Sequence, residues 1–151
     1  ATVAQRINDG FRFLRGTTAY LAAVLQCLTT YRPVQLSITF DGETFESDAM
    51  LCAVANARFY GGGMQIAPNA KVDDGLIDVV VVGGVSKLEF LRQFPRVFKG
   101  THLSHPAVRS FRGKSVLIGS NEPIPVLADG EIVGLTPVEF KVVPGALRVV
   151  H

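Results

Sequence analysis

The chain has 151 residues, 48% of them apolar, and a formal net charge of +2. That length suffices for one good core and gives no reason for a second domain. The apolar share excludes a disordered tail, and so small a charge makes no case for nucleic acid.

In chain order, the first expected element is a helix capped by Thr17 or Thr18. It runs through Tyr20, Leu21, Val24, Leu25 and Leu28 at helical spacing and ends at Arg32-Pro33. Val34 to Phe40 and Thr44 to Ala55 then read as strands flanking Asp41-Gly42, a hairpin signal. Leu76 to Val82 is nearly all apolar and predicts a strand buried on both faces. A second helix opens at Ser86, with Glu89 completing the capping-box pattern, and its apolar side is Leu88, Leu91, Phe94 and Phe98; Pro95 predicts a kink or break inside it. Val116 to Ile118 is a short strand. Ile124 to Ala128 and Ile132-Val133 flank Asp129-Gly130 as a second hairpin. Val138, Phe140 and Val142 alternate with Glu139 and Lys141, and Pro144-Gly145 turns the chain into Ala146 to Val150. Strands joined mainly by tight turns predict a mainly β protein, an antiparallel β-sandwich or curled sheet with two helical insertions.

The cysteines, Cys27 and Cys52, lack metal-type spacing and read as reduced core thiols, as in a cytoplasmic protein. No signal peptide is evident, and Ala19–Leu25, the longest helical apolar stretch, is far short of a bilayer span. The chain opens at Ala1 without an initiator methionine, as expected of a fragment or a processed product.

The densest run of unusual residues extends from Asn56 through Gly61-Gly62-Gly63-Met64 to Asp78. Three successive glycines fit either a bulge or loop between strands, or backbone that passes close to another group. The run lacks the lysine-serine ending and following helix of a phosphate loop. Asp73-Asp74-Gly75 is a turn by composition; such a turn can also aim one carboxylate and two carbonyls at a hard cation. Asp129-Gly130-Glu131 places two carboxylates at a hairpin tip, where a carboxylate can take a hydroxyl proton in phosphoryl transfer. Asp41-Gly42-Glu43 repeats the tripeptide in the same context, so the three letters alone have little specificity. His102 and His105 lack an evident third ligand and read as a surface loop. Between Lys87 and Lys114 lie seven basic residues and one acid, Glu89. Arg92, Arg96 and Lys99 fall on one helical face, either solvated or drawn to an anionic membrane.

The block from Asn56 to Asp78, with Gly-Gly-Gly-Met, Ala-Pro and Ala-Lys-Val-Asp-Asp-Gly-Leu-Ile-Asp-Val, resembles the bacterial lipid kinases of the diacylglycerol kinase, YegS and sphingosine kinase superfamily. Arg15-Gly16 with Ala19-Tyr20-Leu21 is similar to the helix entering that family's C-terminal domain. The resemblance implies that residues 1–151 are the C-terminal β-sandwich of the NAD kinase/diacylglycerol kinase-like fold. The N-terminal nucleotide-binding domain and its Gly-Gly-Asp-Gly-Thr motif would be absent from this chain. It further implies Glu131 as proton acceptor beside Asp129, ATP as co-substrate, and a Mg²⁺ held by Asp74 and the carbonyls of Lys71 and Leu76. The implied partners are a lipid at a membrane surface, the protein's own N-terminal domain and, compatibly, a second copy of the chain, with no nucleic acid. The implied activity converts diacylglycerol to phosphatidic acid. Other lipid alcohols, an NAD kinase and a non-catalytic lipid- or partner-binding module are the competing expectations.

Overall fold

The computed structural model describes residues 32–129 and 131–147. The helix expected over residues 17–28, Cys27 and residues 148–150 of the last expected strand lie outside these. Six strands form one antiparallel sheet in the order β4-β3-β2-β1-β5-β8: β1 (Val34–Phe40), β2 (Glu43–Ala55), β3 (Ile77–Gly83), β4 (Val108–Gly113), β5 (Ser115–Ser120) and β8 (Val138–Lys141). Among the described residues, β6 (Pro125–Ala128) and β7 (Glu131–Leu135) pair only with each other. The mainly β, antiparallel expectation therefore holds, and the strand boundaries fall within a residue or two of most of those read from the sequence. Ala146 and Leu147, expected to begin a strand, lie outside any strand.

Local chemistry explains the framework. Asp41 and Gly42 both have positive φ, 47° and 88°, the mirror-image turn whose twist suits a two-residue hairpin. β2 is long enough to serve two partners in succession. Its residues 43–49 pair with β1 and its residues 49–55 with β3, with a register shift between Ala49 and Leu51. Such a bulge bends a strand and strengthens its twist.

Period-two alternation on the central strands makes two cores. One face carries Leu36, Ile38, Val79, Val81, Val116 and Ile118, all buried, with the Phe111 ring 5.5 Å from that of Phe40 and 5.2 Å from that of Phe45. Cys52 packs against this cluster, and burial pushes its thiol up to about 12, as expected of an inert core cysteine. The opposite face brings Val80, Leu51 and Ala53 against Ile66, Ala67, Ala70, Val97 and Leu103. β3 lies between the two cores, which is why residues Ile77–Val81 are all buried.

The second expected helix is α1 (Lys87–Gln93), capped by Ser86 Oγ, which accepts from the Glu89 N–H at 3.1 Å. A 3-10 segment, Phe94–Lys99, follows with Pro95 in its first turn, and Gly100 ends it at φ 67°. Pro95 has no N–H to give an α-helical ladder, so the break falls where expected. Two expectations here need correcting. Arg92, Arg96 and Lys99 do not share one regular helix, and Arg96 is engaged, donating to Gln93 Oε1 at 2.9 Å and Ser104 Oγ at 3.1 Å. Leu88 and Leu91, read as part of the helix's apolar side, are exposed.

Candidate functional site

Glu131 and Asp129 stand at the tip of the β6–β7 hairpin. Asp129 has φ 47°, the same value as Asp41, and Glu131 is paired with Ala128 as Glu43 is with Phe40. Both carboxylates are exposed, and neither has a hydrogen-bond or ion-pair partner among the described residues. The strand behind them is also open, with Ile132, Val133 and Leu135 at 46%, 61% and 56% exposure.

What anchors this hairpin is its root. The buried Thr136 donates its N–H to Ile124 O at 3.0 Å, and its Oγ1 accepts the Ile124 N–H at 3.0 Å. Thr136 Oγ1 also bonds Ser120 Oγ, and Ser120 Oγ lies 2.5 Å from Glu122 O. Each hydroxyl has one proton, and a carbonyl can only accept. The chain of donors therefore runs from Ile124 N–H to Thr136, from Thr136 to Ser120, and from Ser120 to Glu122 O. The root is tied to the end of β5, hence to the main sheet. No sequence pattern distinguished Ser120 or Thr136.

The Gly-rich run makes a tight turn between Tyr60 and Met64, which exchange backbone hydrogen bonds of 2.8 and 3.1 Å. Gly61, Gly62 and Gly63 have φ of 30°, 69° and 90°, a conformation side chains disfavour. An added Cβ at Gly63 would meet nothing within 4 Å, so conformation rather than crowding calls for glycine there. Beyond the turn, an apolar cavity of about 70 Å³ opens between the sheet and α1, lined by Leu51, Met64, Ile66, Phe90, Phe94 and Val97 among others.

Lys71, Asp74 and Leu76 lie together on the loop entering β3. Asp74 Oδ1 accepts the Leu76 N–H at 3.0 Å, and its Oδ2 lies 3.7 Å from Arg112 Nη1. Among the described residues no three His, Cys, Asp or Glu side chains converge. A cation here would depend on the Asp74 carboxylate and on backbone carbonyls, an all-oxygen donor set of the kind Mg²⁺ prefers. Arg112 also holds Asp78, with Nε–Oδ1 and Nη2–Oδ2 contacts of 3.2 Å each. The sequence left Arg112 in an undifferentiated basic stretch; the strand that carries it, β4, was not expected at all. No hydrogen bond or ion pair links the Asp74 turn to Asp129 or Glu131 among the described residues.

His102 is not in a surface loop, contrary to expectation. It is 3% exposed in a second 3-10 segment, Thr101–Ser104, and its Nε2 donates to Ile66 O at 3.0 Å. Burial lowers its pKa. His105 accepts the Ala107 N–H at Nδ1 and so donates from Nε2 to Glu89 Oε1, both at 3.2 Å. The two imidazoles close the α1–β4 connection, which occupies them structurally.

Among the described residues, no helix is long and apolar enough to cross a membrane. The chain is 37% identical over 149 residues to a diacylglycerol kinase of Mycobacterium tuberculosis, covering 96% of this chain and 48% of that protein. It is 27% identical over 134 residues to a diacylglycerol kinase of Bacillus subtilis, covering 89% of this chain and 44% of that protein. A crystal structure of a diacylglycerol kinase from Bacillus anthracis superimposes with a TM-score of 0.62 at 26% identity, over 81% of this chain and 44% of that one. The chain thus spans about half the length of the curated relatives it matches. A model of the YegS C-terminal NAD kinase beta sandwich-like domain matches residues 1–151, and the chain belongs to that family of lipid-kinase domains.

Proposed function

We propose that this domain, as part of a longer protein, supplies the proton acceptor and the lipid-facing surface for ATP-dependent phosphorylation of diacylglycerol to phosphatidic acid. The carrying observation is Glu131: an exposed carboxylate without a competing partner among the described residues, on a hairpin rooted to the sheet through the buried Thr136 hydroxyl and Ser120. In the reaction, the primary hydroxyl oxygen of the lipid forms a bond to the γ-phosphorus as the bond to the ADP oxygen breaks. The hydroxyl proton passes to Glu131, with Asp129 beside it. A carboxylate is a weak base towards an alcohol, so transfer comes late, once the new P–O bond acidifies the hydroxyl. ATP is held by a separate N-terminal domain of the longer protein.

Lys71 and Leu76, through their carbonyls, and Asp74, through its carboxylate, would hold Mg²⁺. When bound, it would supply positive charge beside the turn leading into β3. The enzyme meets the lipid at a membrane surface.

The test is the full-length protein incubated with labelled ATP and fractionated lipid extracts. Label in phosphatidic acid is the expected result; label in another phospholipid changes the substrate, and label in NADP would overturn the lipid reading. Residues 1–151 alone should transfer no phosphate. Robust phosphatidic acid formation by this chain alone would mean that the ATP site lies within it.

A further inference from the structure

Arg112 makes more distinct polar contacts than a simple ion pair needs. Its Nε and Nη2 grip the two oxygens of Asp78 at 3.2 Å each, Nη2 also donates to Asn69 O at 2.6 Å, and Nη1 is 3.7 Å from Asp74 Oδ2. The ladder places it: Asp78 on β3 and Arg112 on β4 are direct cross-strand partners. Asp78 is 7% exposed, and a buried carboxylate requires a counter-charge. The rigid fork of a guanidinium meets that need bidentately and still has N–H groups to spare. Those remaining groups reach both ends of the loop before β3. Arg58 adds a second brace, donating from Nε to Ala70 O at 3.2 Å. Two consecutive carbonyls, those of Asn69 and Ala70, are therefore held immediately before Lys71, and the Asp74 carboxylate is held after it.

We infer that Arg112 is a positioning residue for the 69–76 turn: it fixes the Asn69 carbonyl and the Asp74 carboxylate without help from a cation, so that a divalent ion meets a turn already formed. The proposed cation site supplies what the turn receives; how the turn is held does not depend on it. Ordering a loop on binding subtracts from affinity, and a turn clamped from the sheet avoids that cost.

The Leu76 amide reports on the clamp, because its N–H is bonded to Asp74 Oδ1. Hydrogen exchange would be followed in the full-length protein, in chelator and in Mg²⁺, for the wild type, Arg112→Met and Arg112→Lys. Methionine keeps much of the stem and loses the fork. Lysine keeps a charge for Asp78 but lacks the planar fork that reaches Asp78, Asn69 O and Asp74 together, and it carries the test if the methionine variant does not fold. In chelator, exchange at Leu76 should accelerate about tenfold or more in Arg112→Met, the factor associated with losing a charge-assisted hydrogen bond. The core amide of Ile38 should not change. Mg²⁺ should slow Leu76 exchange in the variant and leave the wild type nearly unaltered. Acceleration that Mg²⁺ does not reverse keeps Arg112 as the clamp and removes the cation site. Unchanged exchange at Leu76 in both variants, or equal acceleration at Leu76 and Ile38, overturns the inference whatever Mg²⁺ does.

Discussion

Asp-Gly-Glu occurs twice in this molecule, at 41–43 and 129–131, with the same pairing across the turn and the same φ of 47° at the aspartate. Local geometry does not separate the two copies; their surroundings do. The first closes β1 and β2, strands in the middle of a six-stranded sheet, where β1 has a partner on both sides. The second closes a two-stranded ribbon whose β7 is exposed along its whole length and whose root alone is buried. A hairpin built into a sheet serves the core. A hairpin outside the sheet leaves its tip clear of the core. On the proposed reading, the same tripeptide is structural in one place and available for chemistry in the other.

The sharpest way to break this comparison is at the two glutamates. In the full-length protein, Glu131→Gln should lower kcat by about 10²-fold or more, the range for a lost general base, with ATP binding retained. Glu43→Gln should leave kcat unchanged. Steady-state kinetics on both variants decide it, and equal losses with intact folds would remove the distinction.

Stability should show the reverse asymmetry. Ile38, fully buried on β1, should cost about 2–5 kcal/mol when cut to alanine. Ile132, 46% exposed on β7, should cost no more than about 0.5 kcal/mol, as surface positions do. Denaturant midpoints measure both, and a large loss at Ile132 would mean that the second hairpin is packed after all.

Their hydroxyl pairs differ as well. Thr136→Val strands the Ile124 N–H and breaks the link to Ser120, so it should destabilise by about 1–3 kcal/mol, the cost of an unsatisfied buried polar group. Thr44→Val removes only an exposed hydroxyl pair with Thr39, at 2.9 Å, and should fall within about 0.5 kcal/mol of wild type. Thermal melts separate the two.

A smaller effect concerns pH. Burial depresses the folded-state pKa of His102, so neutral His102 supports the fold at neutral pH. That contribution is complete above the imidazole's unfolded value and is lost as pH falls through the depressed folded value. His102→Gln should flatten this acid-side loss. Urea midpoints taken across the acid range test it.

Much of this fold was legible in the residues. Both Asp-Gly turns, the apolar β3 strand and the Ser86 cap are local signals, because turn chemistry and side-chain alternation act over a few residues. β4 was hidden because its pattern answers to both faces at once: Val108 packs on one core, Phe111 on the other, and Arg109 lies over the Phe45 ring at 4.4 Å. His102 looked like loop because its partner, Ile66 O, is 36 residues away. Leu88 and Leu91 looked inward because periodicity counts apolar positions without saying which side the sheet is on.

By itself the sequence determined where most of the strands begin and end, β4 excepted, which turns close them, and which residues could take a proton or meet a cation. Sheet order, the burial of His102, the grip of Arg112 on Asp78 from 34 residues away, and the separate standing of the second Asp-Gly-Glu hairpin were decided only by the tertiary structure. The physical reason is range. Backbone conformation and side-chain alternation are set by neighbours in the chain, whereas burial and charge pairing are set by whatever the folded sheet brings alongside.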